Sequence, residues 1–128
     1  MKTFALSDIE FANTTEVLNT KTFVSGTVTH DFSTGAIWYH SSILGNFTAN
    51  FTNVPTTDNR TIVCTLILQQ TATPYIPNAV QIAGVAQTIN WLGGTAPTGA
   101  ANKKEIASFT LVRKSATWVV FGSLSSYG

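Results

Sequence analysis

In this chain residues 105–124 read Glu-Ile-Ala-Ser-Phe-Thr-Leu-Val-Arg-Lys-Ser-Ala-Thr-Trp-Val-Val-Phe-Gly-Ser-Leu. Apolar and polar side chains alternate through both halves, with the two-residue period of a β-strand that buries one face. The link at residues 114–116 is short enough to join two antiparallel neighbours. We therefore expect one strand over residues 105–113, a second over residues 117–124, and a tight turn between them.

The same period recurs in the middle of the chain. Residues 46–52 alternate cleanly, which predicts that Phe47, Ala49 and Phe51 point inward and that their polar neighbours point to solvent. Within residues 60–70, every position from Ile62 to Leu68 except Thr65 is apolar, which is typical of a central strand with both faces covered.

Turn residues separate these segments. Ser33-Thr34-Gly35 predicts a hairpin between residues 22–32 and 36–41, and Ala83-Gly84 predicts a second turn ahead of a strand over residues 85–91. Two prolines exclude residues 74–77 from a sheet interior, so this segment is expected to be a corner. No segment has a convincing helical period. The pattern predicts an all-β fold, an antiparallel β-sandwich or jelly roll of about seven to eight strands.

The inward positions of these strands define an expected core. It consists of large apolar side chains from six segments: Phe47, Phe51, Leu66, Leu68, Ile82, Ile89, Trp91, Phe109, Leu111, Trp118 and Phe121. Cys64 lies within one apolar run, and we expect it to be a buried thiol with no reactive role. The chain length matches a single domain, assigned to residues 21–128. Residues 1–20 are less patterned and are interpreted as an arm that docks on a neighbour or on the domain's own sheet.

Composition limits the classes of function. Charged residues make up 10% of the chain, hydrophobic residues 44%, and the formal net charge is +1. This balance gives no electrostatic basis for binding nucleic acid, and no apolar run is long enough for membrane insertion. A surface coated by uncharged polar groups favours self-association, because little repulsion keeps copies apart.

Few residues suggest chemistry. His30, Asp31 and His40 lie in the first expected hairpin, where His30 would fall opposite Tyr39 and the two imidazoles could approach each other. We interpret the three as a structural polar cluster, with a metal or catalytic site as the alternative. The chain has no nucleophile elbow, no pair of spaced carboxylates and no phosphate-binding loop. We expect a protein that is not an enzyme and needs no metal or cofactor.

Exposed aromatic rings and the longest loop are candidates for a contact surface. Aromatic rings pack against the apolar faces of sugars and also fill subunit interfaces. Trp38 is a further ring that could be exposed. The candidate contact or ligand-binding residues are Tyr75, Gly93, Gly94, Pro97 and Tyr127.

A series of short motifs occurs in order along the chain: residues 29–35 (THDFSTG), 39–42 (YHSS), 46–55 (NFTANFTNVP), 74–77 (PYIP), 90–97 (NWLGGTAP), Ser108-Phe109 and 118–128 (WVVFGSLSSYG). Through these motifs, roughly residues 25–128 resemble modules of structural proteins in tailed bacteriophages, especially phages of marine bacteria. In those phages such stretches occur in tail-fibre and other virion proteins.

This resemblance implies a context. It implies a non-enzymatic virion structural protein, made in the bacterial cytoplasm and displayed on the particle surface as a capsid decoration or a tail or fibre component. The expected partners are copies of the chain, as a homotrimer, and other virion proteins of the capsid or tail. The alternative is a carbohydrate- or host-receptor-binding module of a tail fibre, with a host-surface glycan as its ligand.

Overall fold

The computed structural model describes residues 5–128, which contain eight β-strands, two single-turn 3-10 helices and no α-helix. The expected all-β class and the number of strands are confirmed. The strands are β1 (Leu18–Asp31), β2 (Ile37–Thr52), β3 (Arg60–Gln69), β4 (Pro77–Ile82), β5 (Val85–Gln87), β6 (Ile89–Trp91), β7 (Lys104–Lys114) and β8 (Thr117–Tyr127).

The first two strands wind as successive turns of a coil. β1 and β2 pair in parallel along their whole length, with Leu18 opposite Ile37 and Asp31 opposite Thr52. A straight strand of 14 residues would be about 46 Å long, and the link of residues 32–36 spans at most about 20 Å. The pairing is possible because each strand bends in its middle, where Phe23 and Ser42 have positive φ and the register shifts.

The third turn of the coil is divided between two strands. The first half of β2 pairs in parallel with β3, and its second half pairs in parallel with β4. All eight strands belong to one mixed sheet, which the bent strands β1 and β2 divide into two halves with the core between them. We call these halves the first and the second sheet: the first continues from β3 through β7 and β8 to β6, and the second ends at β5. We call the end with residues 42–46 and 70–76 the upper end, and the end with residues 53–59 and 115–116 the lower end.

This winding corrects the expected hairpin over residues 22–41. Tyr39 lies opposite Thr20 rather than His30, and His30 lies opposite Phe51. Ser33 does lie in a turn, a 3-10 turn over Phe32–Thr34 in which Asp31 accepts a hydrogen bond from the Ser33 backbone N–H. A polar turn of this kind also connects two rungs of a coil, so it does not by itself distinguish a hairpin from a parallel pair.

Two predicted turns are confirmed. β7 and β8 pair antiparallel across Ser115 and Ala116, and Ile82 faces Val85 across Ala83-Gly84. The strand expected over residues 85–91 is divided, since β5 belongs to the second sheet and β6 pairs in parallel with β8 in the first. Pro77 is the first residue of β4, a position that a proline tolerates because it needs no ladder donor there, so the expected corner is one residue shorter.

Most of the expected core is confirmed. Phe47, Ala49 and Phe51 are buried as expected, while Phe121 is 50% exposed and Trp38 is buried with 1% exposure. Phe121 was assigned the wrong face because residues 119–121 are all apolar, so alternation does not fix their phase. In β3, Val63 is 49% exposed, which shows that only one face of this strand is fully covered. Ile89, Trp91 and Trp118 are half-buried against the core, and the other expected core members are buried.

The N-terminal segment is exposed along its described length. Residues 5–17 form no strand, and Leu6, Ile9 and Phe11 are exposed. Within the described part of the arm, no side chain is buried on the domain's own sheet. The arm expected over residues 1–20 begins in residues 1–4, which lie outside the described residues, and its last three residues belong to β1.

Candidate functional site

Two histidines meet in the core. His30 lies on the descending half of β1 and His40 on the rising half of β2, so their side chains approach across the interior, with 2.8 Å between the two Nε2 atoms. Nδ1 of His30 lies 2.9 Å from the carbonyl oxygen of Val28, and Nδ1 of His40 lies 3.2 Å from that of Ile67. The pair thus connects three turns of the coil. The approach that the sequence predicted is present, although a different strand pairing produces it.

The protons of this pair can be counted. Each ring nitrogen faces another acceptor, so full hydrogen bonding needs one proton in each of three contacts, whereas two neutral imidazoles carry one proton each. Burial is the main reason that the pKa of His30 is lowered to about 3 and that of His40 to about 4, and the proximity of His40 further lowers the pKa of His30. At neutral pH both rings are therefore neutral, and we assign the longest contact, His40 to Ile67, as the one without a proton.

Asp31 does not join the histidines. Its carboxylate accepts hydrogen bonds from Ser33 and from the side chain of Asn53, and these bonds lower its pKa. Among residues 5–128 there is also no group of three or more metal-ligating side chains. The predicted three-residue cluster is therefore a two-residue pair, and Asp31 instead holds the turn at the lower end.

A buried carboxyl group organises the upper end. Glu105 is 0% exposed and accepts hydrogen bonds from Gln70 Nε2 at 3.0 Å, from the Ala100 backbone N–H at 2.9 Å and from the Ser126 hydroxyl. Gln70 also donates to the Tyr75 carbonyl and accepts from the Tyr75 N–H. These bonds hold the loop of residues 95–103 and the corner of residues 70–76 on the ends of β7 and β8.

The candidate contact residues lie at or near the upper end, and of the five only Pro97 lines a cavity there. Tyr75 packs against the core, and Tyr127, 55% exposed, lies opposite Lys104 beside Glu105. Pro97 lines a cavity of about 270 Å³ with Asn46, Asn78 and Thr98 among its other walls. Gly93 and Gly94 are exposed in the 3-10 turn that leads into the same loop, and neither lines that cavity.

The outward face of the first sheet carries no charge in its central rows. Val63, Thr110 and Phe121 lie side by side across β3, β7 and β8, and Asn90 of β6 continues the row. Val119 and Phe121 are 38% and 50% exposed. Charged side chains on the outward positions of β7 occur only at its ends. The face, which we call the outer face, consists of Thr61, Val63, Thr65, Ile67, Ile106, Ser108, Thr110, Val112, Val119, Phe121, Ser123 and Ser125.

Two inward-facing charged residues were missed by sequence reasoning. Glu105 and Arg113 occupy the same alternation phase as Ala107, Phe109 and Leu111, so both side chains point toward the interior at opposite ends of β7. A charged residue in the buried phase of a strand was the signal that could have identified them.

Comparison with protein-family models, with curated proteins and with solved structures finds no match to this chain. Residues 5–128 contain no helix with the length and hydropathy needed to cross a membrane. Cys64 is buried, and burial raises the pKa of its thiol to about 12, so it stays protonated and weakly nucleophilic.

Proposed function

We propose that this chain is a non-enzymatic structural protein of a phage virion, displayed on the particle surface as a capsid decoration or a tail or fibre component. Copies of the chain assemble as a homotrimer. The observation that carries the proposal is the outer face, because a wide, uncharged sheet surface with exposed Val63 and Phe121 suits contact with another copy. The motif order that resembles phage proteins supports the context.

The outer face is large enough to form part of an assembly contact. Its three strands, about 4.8 Å apart and with about eight residues each, give a flat area of about 400 Å². A standard interface buries about 800 Å² on each partner. We propose that the N-terminal arm supplies further surface, since Leu6 and Phe11 are 76% and 73% exposed.

Sedimentation tests the assembly. We expect the wild-type chain to sediment at about three times the monomer mass, and Phe121→Asp to sediment as a monomer because it places a charge in the centre of the contact. Leu44→Asp is the matched control, since Leu44 is 61% exposed and lies at the upper corner outside the outer face. A wild-type monomer at high concentration would contradict the homotrimer.

A second experiment addresses the arm and the particle. Deleting residues 1–16 removes residues ahead of β1, of which residues 5–16 are exposed, so the domain is expected to stay folded while its attachment to particles weakens. Immunogold labelling of purified particles would give its position on capsid or tail. Absence of the protein from particles would contradict the virion assignment, and unchanged attachment of the truncated chain would remove the role given to the arm.

The carbohydrate- or receptor-binding alternative is favoured by the cavity at the upper end. Asn46, Asn78 and Thr98 give it amide and hydroxyl groups, which hydrogen-bond sugar hydroxyls. Glycan-array binding that is lost in Asn78→Ala would support this function. Tyr75→Ala is a poorer test, because Tyr75 packs against the core and its loss would disturb the fold.

A further inference from the structure

The lower end of the molecule contains a cavity whose walls come from both sheets. It has a volume of about 510 Å³ and lies between the loop after β2, the β4–β5 turn, and the ends of β7 and β8. Its walls include Asn53, Thr56, Gln87, Arg113 and Trp118. This volume is in the range of small-molecule sites.

Arg113 is the only charged side chain that lines this cavity among the described residues, and its hydrogen bonding is incomplete. Its Nε is buried, and no atom of residues 5–128 lies in hydrogen-bonding geometry with it. This same Nε lies 3.5 Å from Oδ1 of Asp58, which is within ion-pair distance but outside hydrogen-bonding geometry, and the Asp58 side chain is 46% exposed. A guanidinium presents several N–H donors in one plane, and a buried donor without a partner is costly. The cavity therefore contains an unused anion-binding capacity.

The orientation of Arg113 is fixed by packing. Its guanidinium carbon lies 5.0 Å from the centre of the Trp118 ring, which belongs to the neighbouring strand. Arg113 and Trp118 are directly paired in the β7–β8 ladder, so the guanidinium is held by a rigid element. Such preorganisation lowers the entropy that binding a ligand would cost.

The other polar walls indicate what kind of anion fits. Asn53, Gln87 and Thr56 offer amide and hydroxyl groups, and these pair well with ligand hydroxyls. Asp58 already offsets part of the charge of Arg113, so a multiply charged group such as a phosphate dianion would be poorly balanced. A single carboxylate, by contrast, matches the guanidinium fork. The cavity is suited to a polyhydroxylated ligand with one carboxylate.

We propose that the lower-end cavity binds an acidic saccharide through a carboxylate–Arg113 contact, with a uronic acid as the chemical class. This site lies at the opposite end from the loops of residues 70–76 and 95–103, and it does not depend on the assembly proposed above. Either a free sugar acid or a uronic acid unit in a polysaccharide can supply the ligand. The full chain is used to test it, because every wall belongs to the same domain.

The probe is D-glucuronate, titrated into ¹⁵N-labelled full-length protein and followed by amide chemical shifts, with D-glucose as the uncharged control. Ordinary ligand efficiency gives a Kd of about 1 mM for a sugar of this size. With glucuronate we expect saturable shifts at the lower end, in Asn53, Ala83 and Gln87. Glucose should bind at least about tenfold more weakly than glucuronate. A parallel titration with trigalacturonate distinguishes the two sources of the ligand. Tighter binding of trigalacturonate than of glucuronate indicates a polysaccharide, and equal binding indicates the free acid. Absence of saturable shifts with both acids overturns the proposal.

Two substitutions should change the affinity for glucuronate in opposite directions. Arg113→Gln should weaken glucuronate binding about tenfold or more, whereas Asp58→Asn should strengthen it, because the competing carboxylate is removed while Ala116 N–H keeps its acceptor. Arg60→Gln is the matched control: Arg60 is paired with Arg113 in the β3–β7 ladder but does not line the cavity. If Arg113→Gln does not fold, Arg113→Lys replaces it, since it keeps the charge and loses the fork. Equal binding by the Arg113 variants and wild type, or weaker binding by Asp58→Asn, overturns the proposal.

Discussion

Glu105 and Arg113 lie on the same face of the same strand, yet their surroundings differ in kind. At the upper end Glu105 is fully buried and accepts hydrogen bonds from three residues, whereas at the lower end the buried Nε of Arg113 has one ion pair, to Asp58 at 3.5 Å, and no hydrogen bond. A buried charged group with all its bonds made stabilises the loops that make them. One with unmade bonds contributes little to stability and remains able to bind a ligand.

The largest expected effect is at the upper end. Glu105→Ala leaves one N–H of the Gln70 amide, the N–H of Ala100 and the hydroxyl of Ser126 without their acceptor and opens a cavity. We expect the free energy of unfolding, measured by urea titration, to fall by about 3–5 kcal/mol. Glu10→Ala is the control, because Glu10 is exposed in the arm, and its effect should stay within about 0.5 kcal/mol. A cost below about 1 kcal/mol for Glu105→Ala would remove the structural role assigned to this carboxyl group.

The second effect comes from the region between the two ends, where acid should destabilise the protein through His30 and His40. Their folded-state pKa values, about 3 and about 4, are below the ordinary value of 6.5, so the unfolded chain binds protons first as the pH falls. The stabilisation is complete above pH 6.5 and is lost progressively down to the folded-state values. Linkage gives a loss on the order of 3 kcal/mol by about pH 5.5.

The pH dependence arises from the two imidazoles and one charged neighbour, Lys21, whose positive charge lowers the pKa of both His30 and His40. Urea titrations between pH 7.5 and 5.5 avoid the range in which most carboxylates titrate. Imidazole NMR titration of the folded wild type provides the second measurement. Imidazoles that protonate near pH 6.5 in the folded state would contradict the assignment.

The sequence predicted the parts of this fold that depend on local signals. The β7–β8 hairpin follows from alternation and the short link at Ser115-Ala116. The coil of β1 and β2 depends on bends where Phe23, Gly26 and Ser42 have positive φ, and of these residue types only glycine signals such a position. Whether two β segments pair in parallel or antiparallel is decided by contacts distant in sequence, so the meeting of His30 and His40 was predicted on an incorrect register.

The same reasoning applies to the candidate site. The alternation in the sequence places Glu105 and Arg113 at inward positions of β7. The number of hydrogen-bond partners of each residue is visible only in the folded structure. Gln70, Ala100 and Ser126 come from three separate segments, so their convergence on Glu105 depends on the tertiary fold. The difference between the two ends is therefore a property of packing and not of residue type.

The third expected effect sharpens the description of the lower end and has the opposite sign. Ala83 and Gly84 both have positive φ, at 50° and 78°, in the turn that forms one wall of the cavity. The left-handed region costs alanine about 1 kcal/mol. Because the Phe51 carbonyl and the Asn50 side chain accept from the turn N–H groups, the turn is kept in Ala83→Gly. We expect a gain of about 0.5 kcal/mol, whereas Ala86→Gly, in β5, should cost about as much.

The smallest expected effect tests the comparison most directly. Arg113→Gln removes the ion pair of the buried Nε with the 46% exposed Asp58, a pair worth little in water, and it removes the contact with Trp118, but it also removes a buried N–H that makes no hydrogen bond. The losses and the gain oppose each other, so the free energy of unfolding should change by less than about 0.5 kcal/mol, close to the effect of Arg60→Gln. A loss of several kcal/mol would show that Arg113 stabilises the lower end as Glu105 stabilises the upper end, and the contrast between the two ends of β7 would then be wrong. A small change together with lost glucuronate binding would show that the same strand carries a structural charge at one end and a binding charge at the other.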